Sequence, residues 1–339
     1  MRMNKSFNLN PAMNLVPDPF SPDAKKAPTR DGWGHALADM GKTEATLVVL
    51  SADVSESVRT HWFEKEFPAR FVQCGVAEQD MASVAAGLAM EGKTVFFSAY
   101  GVFSPGRNWD QIRVNIAYNN LNVKFSGAHG GITVGPDGAT HQAMEDMALM
   151  RVLPNVCVLC PSDEKEAYHA ARAAAARKGP VYIRLGREKT PVFTTDATPF
   201  EIGKINVLAD GTDVAIAACG VPVFEALKAA KKLAGEGISA AVLDCHTLKP
   251  LDKKTLAEYA RRCGCVVTAE EHQINGGLGG AVCEALSEEC PVPIVRVGMP
   301  DQFGESGGGL ELLRHFGMDA AAIERAVKKA MEIKKKRKC

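Results

Sequence analysis

The stretch Phe71-Val-Gln-Cys-Gly-Val-Ala-Glu-Gln-Asp80 joins two patterns that together indicate the kind of fold. The apolar run over 71–76 predicts a buried strand, and the small residues of 81–89 predict a helix that begins directly after it. The carboxylate of Glu78 stands at the junction, where a strand-to-helix turn can hold it rigidly and partly away from water. A proton-relay group for a cofactor suits this position. Acidic residues also favour first helical turns because of the helix dipole, so both interpretations of Glu78 stay open here.

The same alternation of apolar strands and helices runs along the whole chain. The predicted strands are 45–50, 71–76, 94–99, 123–126, 156–160 and 181–185, then 214–219, 240–243, 265–269 and 293–297. Helical patterns are found at about 78–89, from near 108, at 164–177, 223–233, 254–262 and 281–286, and from about 320. Such an alternation is typical of parallel sheets that are covered on both faces.

A change of pattern near Arg187 divides this series into two. The stretch 191–204 contains threonines and prolines without a helical period and is interpreted as a linker. A length of 339 residues also favours two domains over one. We therefore predict an α/β fold with two domains, 29–190 and 205–339, each a mainly parallel sheet with helices on both faces. Residues 1–28 are expected to form an N-terminal extension that stands apart from both.

Composition excludes some classes of partner. The 40 basic and 40 acidic side chains give a formal net charge of zero, which provides no attraction toward nucleic acid or acidic membrane surfaces. No apolar run is long enough to span a bilayer, and the first 28 residues lack an apolar signal core. We therefore expect a cytoplasmic protein with neither a nucleic-acid nor a membrane partner.

The ten cysteines include a Cys157-x-x-Cys160 pair and a Cys263-x-Cys265 pair, both in or beside predicted strands. No further His or Cys accompanies either pair at zinc spacing. Cysteine buries well as a small hydrophobic residue, so we expect structural thiols and predict no metal ligand in this chain. A metal or redox site remains the alternative.

Two further blocks carry candidate chemistry. A Gly-rich loop runs from His129 through Asp137 to His141, just after a predicted strand, where parallel-sheet proteins build sites. Tyr100 and Phe103 follow the preceding strand and could stack on a flat heterocycle, although core packing is the commoner fate of such rings. Three residues near predicted element ends could each bind phosphate or lie on the surface: Arg30, Ser57 and Arg187.

In their order along the chain, these blocks resemble the thiamine-diphosphate enzymes of the transketolase family. The matching motifs are Ser51-Ala-Asp53, Gly75-Val-Ala-Glu78-Gln, Tyr100-Gly-Val-Phe103, Gly135-Pro-Asp-Gly-Ala-Thr-His-Gln142 and Arg184-Leu-Gly-Arg187. The resemblance runs from about residue 28 to the end and covers the family's pyrimidine-binding and C-terminal domains. It implies a fold of two α/β domains and a two-carbon ketol transfer between sugar phosphates.

The family binds the diphosphate and Mg²⁺ through a Gly-Asp-Gly motif in a separate domain, and this sequence contains no Gly-Asp-Gly. The chain therefore resembles the C-terminal subunit of a split transketolase. The resemblance implies an N-terminal partner subunit that carries the Gly-Asp-Gly site and holds the Mg²⁺, in an α2β2 heterotetramer.

The resemblance also implies a role for each candidate residue. Glu78 would hydrogen-bond N1′ of the aminopyrimidine, with Tyr100 and Phe103 lining the ring and Asp53 near the cofactor. The predicted substrate residues would contact the sugar hydroxyls and carbonyl or hold the sugar phosphate, and they are His129, Asp137, His141, Arg30, Ser57 and Arg187. Of these, His129 and His141 would take part in catalysis together with Glu78.

Two departures keep the substrate open. Many transketolases place a second aromatic residue three positions after the stacking phenylalanine, where this chain has Gly106. The Ala77-Glu78-Gln79 motif is similar to that of 1-deoxyxylulose-5-phosphate synthases. A fragment of such a synthase, the β subunit of a 2-oxoacid dehydrogenase E1, and a binding module without catalysis are the alternatives.

Overall fold

A computed structural model describes residues 7–336 as two large sheets with helices packed on them and one small two-stranded sheet. The strands are β1 Lys26–Ala27, β2 Leu47–Ser51, β3 Phe71–Gln73, β4 Thr94–Tyr100, β5 Val123–Ala128, β6 Cys157–Leu159, β7 Val181–Arg184, β8 Thr190–Pro191, β9 Asn206–Ala209, β10 Val214–Ala218, β11 Ala240–Asp244, β12 Thr247–Lys249, β13 Val266–Gln273 and β14 Ile294–Met299. The helices are α1 Thr29–Thr43, α2 His61–Glu66, α3 Glu78–Met90, α4 Trp109–Gln111, α5 Asp146–Arg151, α6 Glu164–Ala176, α7 Pro222–Gly235, α8 Lys253–Cys263, α9 Leu278–Glu289, α10 Gly309–His315 and α11 Ala320–Lys336. Three 3-10 turns, Pro11–Met13, Pro68–Arg70 and Ile132–Asp137, and a π-helical turn, Ile112–Ala117, complete the described elements.

The first sheet has seven strands in the order β12-β6-β7-β5-β4-β2-β3, and the second has five in the order β14-β13-β10-β11-β9. Neighbouring strands are parallel except at one edge of each sheet, where β12 and β9 run antiparallel. Every residue of β2, β5 and β10 is buried, as expected for parallel strands that are covered on both faces. The predicted α/β fold with two mainly parallel sheets is confirmed.

The boundary between the two halves is crossed once by a strand. β12 follows the second half's β11 along the chain, yet it pairs with β6 at the edge of the first sheet, with Thr247 opposite Leu159. Between β8 and β9, the stretch 192–205 contains neither a helix nor a strand. The predicted domain limits 29–190, 191–204 and 205–339 stay a prediction, and residues 337–339 lie outside the described part.

The described part of the predicted extension, 7–28, does not stand apart, so that expectation was wrong. Asn10 N donates to Leu208 O at 2.8 Å, and Phe20 packs against Phe224 with 5.9 Å between the ring centroids. β1 pairs with β8. The apolar side chains spaced along a polar stretch are what bind this segment to the second half, and residues 1–6 lie outside the described part.

The sequence patterns missed α1, which contains several glycines that lower helix propensity. Gly32 is needed there because a Cβ at this position would lie 1.9 Å from the Glu164 carbonyl oxygen of α6. The close approach lets α1 pack along α6 on one face of the first sheet.

The predicted second strand ends earlier than expected, at Gln73. Cys74–Ala77 form a turn in which Gly75 has a φ of +69°, and α3 begins at Glu78. Helix α3 presents Ala82, Ala85 and Ala86 to the core. This tight turn brings the first residue of α3 to the carboxyl edge of the sheet.

The cysteines of the described residues are free, and both predicted pairs are buried. Within 7–336, no group of three or more His, Cys, Asp or Glu side chains could hold a metal ion. In the same range, no helix is both long and apolar enough to cross a membrane.

Candidate functional site

The candidate residues lie at one edge of the first sheet because its inner strands are parallel. Each strand end leads directly into a candidate: β2 into Asp53, β3 into Glu78, β4 into Tyr100, β5 into His129 and β7 into Arg187. The carboxyl ends of parallel strands meet at the same edge, which is where α/β sheets bind ligands. The topology thus collects residues that are far apart in sequence.

Glu78 is the buried acid of this edge, with a relative exposure of 2%. Arg107 Nη1 donates to Glu78 Oε2 at 2.7 Å, and the arginine side chain is 47% exposed. Asn108 Nδ2 donates to the Glu78 carbonyl oxygen at 3.1 Å, which fixes the start of α3 against the following loop. The carboxylate is therefore buried on one side and covered on the other by a cation at the surface.

Four rings form one cluster, which Arg107 links to this acid. The Tyr100 ring stacks on His129 with 3.8 Å between centroids and on Phe103 with 5.8 Å. His141 meets Phe103 edge-on at 5.6 Å. The Arg107 guanidinium lies 4.6 Å from the Phe103 ring centroid. The structure thus brings together the predicted ring-binding residues, both histidines and the acid's ion-pair partner.

His129 is held as a neutral donor. Its Nε2 lies 3.0 Å from Arg30 Nη1, and because guanidinium nitrogens only donate, Nε2 accepts and the proton belongs on Nδ1. Burial, followed by the positive charges of Arg30 and Arg187, lowers the pKa of His129 to about 3. Its Nδ1 is buried and has no hydrogen-bond partner among residues 7–336. The ring therefore offers one unused N–H at neutral pH.

Arg30 and Ser57 lie beside this histidine. Arg30 Nη1 also donates to the Ser57 carbonyl oxygen at 2.8 Å, so the contact uses the serine main chain rather than its hydroxyl. Burial, with the nearby Arg59 charge, lowers the pKa of Arg30 to about 10, which leaves it cationic at neutral pH. Its buried Nε has no partner in the described part of the chain.

Asp137 and Arg187 form a second polar pair on the other side of the loop. Arg187 Nη1 lies 4.0 Å from Asp137 Oδ1, and it donates to the Val134 carbonyl oxygen at 2.5 Å. Both side chains are about one-third exposed, so either can reach a ligand. Gly135, at φ +78°, makes the turn that carries Asp137.

Asp53 lies further along the same edge. It has a left-handed φ of +61°, and its main-chain N–H donates to Gln73 Oε1 at 2.7 Å. Its own side chain is exposed, so the carboxylate faces solvent in this chain.

Residues of the second half of the chain hold the Gly-rich loop through hydrogen bonds. Thr133 N donates to the buried Glu271 Oε1 at 2.5 Å, and Gln142 Nε2 donates to the Glu305 carbonyl oxygen at 2.9 Å. Arg184 bridges the halves by donating to Glu271 O at 2.7 Å and to Asp146 Oδ2 at 3.0 Å. These supports fix where His141 and Asp137 lie.

Sequence reasoning missed Arg107 and the supports from the second half. Arg107 follows Phe103 by four positions, and its main-chain N–H donates to Phe103 O at 3.0 Å, so one helical turn separates them. That spacing was a usable signal for Arg107. Glu271 gave none, because it lies 138 positions from the loop that it supports.

Comparisons with known proteins identify the family to which both halves of the chain belong. The model of the transketolase pyrimidine-binding domain matches residues 25–192, and that of the transketolase C-terminal domain matches residues 203–323. A putative transketolase C-terminal section from Methanocaldococcus jannaschii is 44% identical, over 89% of this chain and 96% of that protein. A 6-deoxy-6-sulfo-D-fructose transketolase subunit from Clostridium sp. is 40% identical, over 93% of this chain and 98% of that subunit.

A solved structure of a split-gene transketolase, an inactive beta4 tetramer, aligns with a TM-score of 0.85 at 48% identity. The alignment covers 91% of this chain and 99% of that chain. The resemblance predicted from the sequence is thereby confirmed. This chain belongs to the transketolase family and corresponds to the C-terminal section of a split transketolase.

Proposed function

We propose that the chain supplies the pyrimidine-binding half of a thiamine-diphosphate-dependent transketolase. The reaction moves a two-carbon ketol unit from a ketose phosphate to an aldose phosphate. An N-terminal subunit with a Gly-Asp-Gly motif would hold the diphosphate and Mg²⁺ in an α2β2 assembly. The observation that supports this most is the buried Glu78 carboxylate, which Arg107 links to the stacked rings of Phe103 and Tyr100.

The residues present fit an aminopyrimidine. Glu78 offers a carboxyl oxygen at the rim, Phe103 and Tyr100 offer ring faces, and His129 offers an unused buried N–H. Thiamine diphosphate, when bound, supplies the carbon nucleophile and the electron sink that ketol transfer needs. Glu78 would hold a proton at ring N1′, and its fixed position at the start of α3 would orient that proton.

The histidines and cations would handle the sugar. His129 Nδ1–H would donate to a substrate oxygen, and His141, edge-on to Phe103, would contact the carbonyl end and exchange a proton there. Asp137 would accept from a hydroxyl. Arg30 and Arg187, with Ser57, would attract the anionic end of the sugar. Asp53, exposed at the same edge, would face the cofactor where the partner subunit closes the site.

The anionic end need not be a phosphate. One relative is a 6-deoxy-6-sulfo-D-fructose transketolase subunit, and a sulfonate offers the same guanidinium contacts as a phosphate. We therefore propose a ketose with a terminal anion as the donor. Competition between xylulose 5-phosphate and the sulfonated ketose, measured as kcat/KM, decides which one the site prefers.

Reconstitution tests the proposal. The purified chain, mixed with the N-terminal transketolase subunit from the same genome, thiamine diphosphate and Mg²⁺, should transfer the ketol unit from xylulose 5-phosphate to ribose 5-phosphate. Neither subunit alone should do so. Consumption of pyruvate instead would favour a dehydrogenase E1 or a deoxyxylulose phosphate synthase, and ketol transfer by the isolated chain would refute the shared site.

A further inference from the structure

We propose that the Arg107 guanidinium occupies the aminopyrimidine subsite when no cofactor is bound, and that it leaves when the ring enters. Two contacts define this position: the 2.7 Å bond to Glu78 Oε2, and the 4.6 Å distance to the centroid of Phe103. These are the two surfaces that the proposed function gives to the aminopyrimidine, so the inference rests on that function.

The guanidinium resembles the ring that it replaces. Both are flat, both can stack on an aromatic face, and both present an N–H toward a carboxylate. A carboxyl group as buried as that of Glu78 needs a hydrogen-bond partner, and Arg107 provides one in the free chain. The arginine thus keeps the acid satisfied until the cofactor arrives.

The two occupants exclude one another. They would compete for one carboxyl oxygen and for the space over one ring face. While Glu78 Oε2 accepts the hydrogen bond from Arg107 Nη1, that oxygen is not available to ring N1′. Arg107 must therefore move before Glu78 can do its work.

The surroundings allow the side chain to move while the backbone stays. Asn108 Nδ2 ties the loop to the Glu78 carbonyl oxygen and, at 3.2 Å, to Ser104 Oγ. A Cβ at Gly106 would lie 2.1 Å from the Val102 carbonyl oxygen, so no side chain fits there in this conformation. The Arg107 side chain is 47% exposed and can turn into solvent.

Cofactor affinity gives a test with a directional outcome. In the reconstituted complex, Arg107→Ala should bind thiamine diphosphate about fivefold tighter by calorimetric titration, since the cofactor no longer has to displace the ion pair. Arg325→Ala, which removes an exposed arginine from α11, should leave the affinity unchanged. Unchanged or weaker binding by Arg107→Ala would overturn the placeholder role, because a residue that holds the bound ring would lose affinity.

The free chain provides the second measurement. Arg107→Ala should lower its melting temperature by roughly 3 °C, and the same change in a Glu78→Gln background should lower it much less. Equal shifts in both backgrounds would contradict the ion pair. If the wild-type complex bound no thiamine diphosphate, the proposed function would fail together with the placeholder. Tight wild-type binding with weaker Arg107→Ala binding removes the placeholder alone.

Discussion

Two sites in this molecule bury carboxyl groups, and they differ in the partner that each carboxyl group has. Glu78, at the rim of the first sheet, pairs with a cation whose side chain reaches solvent. Glu166 and Asp244 are buried between the two halves, with exposures of 2% and 0%; they form no ion pair within residues 7–336 and meet through Ser162. A partner that can move into solvent suits an acid that must exchange a proton. A fully buried pair suits acids that hold two elements together, and Glu166 and Asp244 are called the sealed pair below.

The sealed pair has its own chemistry. Ser162 Oγ lies 2.7 Å from Glu166 Oε2 and 3.1 Å from Asp244 Oδ2, and the other oxygen of each carboxyl has no partner among residues 7–336. Burial, followed by the charge of Asp163, raises the pKa of Glu166 to about 7, and burial also raises the pKa of Asp244. Burial therefore favours the neutral form of both carboxyls.

The largest expected effect is a loss of turnover that occurs when Glu78 is changed but not when Glu166 is changed. Glu78→Gln should lower ketol transfer by the reconstituted complex by about 10² to 10⁴, because an amide cannot relay the proton. Glu166→Gln should leave turnover within about threefold, since it lies outside the catalytic edge. Assays at saturating thiamine diphosphate measure both, with the exposed Glu91→Gln at the end of α3 as the control. Similar losses in Glu78→Gln and Glu166→Gln would erase the distinction.

The second expected effect is a pH dependence of the free energy of unfolding that comes from Glu166. A raised carboxyl pKa adds stability that is present below the unfolded value of 4.5 and is lost as pH rises through the folded value of about 7. The free energy of unfolding contributed by Glu166 should thus fall by about 3 kcal/mol between pH 4.5 and pH 8.

Glu166→Gln should flatten that slope, because an amide does not titrate and can donate to Asp244. Urea unfolding at pH 5 and pH 8 measures the difference, and Glu91→Gln should keep the wild-type slope. A Glu166→Gln variant with the wild-type slope would show that the pair does not titrate in this range.

Much of the rim could be predicted from sequence, and much of the sealed pair could not. Glu78 could be identified because it lies at a strand-to-helix junction. The ring and histidine motifs could be identified because they follow successive strand ends. Such patterns place a residue at an edge but do not choose its partner, so Arg107 was missed. Glu166 lies 78 positions before Asp244, and nothing in the sequence pattern indicates that the two meet. The pairing of β12 with β6 in the first sheet could not be predicted either, because the two strands lie far apart in sequence.

A smaller effect tests the link inside the sealed pair. Ser162→Ala removes the hydroxyl that touches both carboxyls and should lower the free energy of unfolding by about 1–3 kcal/mol. Ser287→Ala, an exposed serine of α9, is the matched control and should change it by less than about 0.5 kcal/mol. A neutral Ser162→Ala would mean that the carboxyls are satisfied without it.

The smallest expected effect is the absence of a titration at the rim. With a pKa of about 3, His129 should stay neutral, with its proton on Nδ1, across the whole working range of pH. Nitrogen chemical shifts of the labelled histidine should therefore not change between pH 5 and pH 8. An Arg30→Ala variant should regain a titration, since the lone pair of His129 Nε2 is then free to take a proton. A titrating His129 in the wild-type chain would remove its assignment as a fixed donor.

Exchange of the thiazolium C2 proton of bound thiamine diphosphate for deuterium tests the role of Glu78 most directly, because it needs no sugar. In the reconstituted complex, exchange followed by proton NMR should be at least about 10²-fold slower in Glu78→Gln than in wild type. Equal exchange rates, with the cofactor fully bound in both complexes, would contradict the proposal that this carboxyl relays the proton.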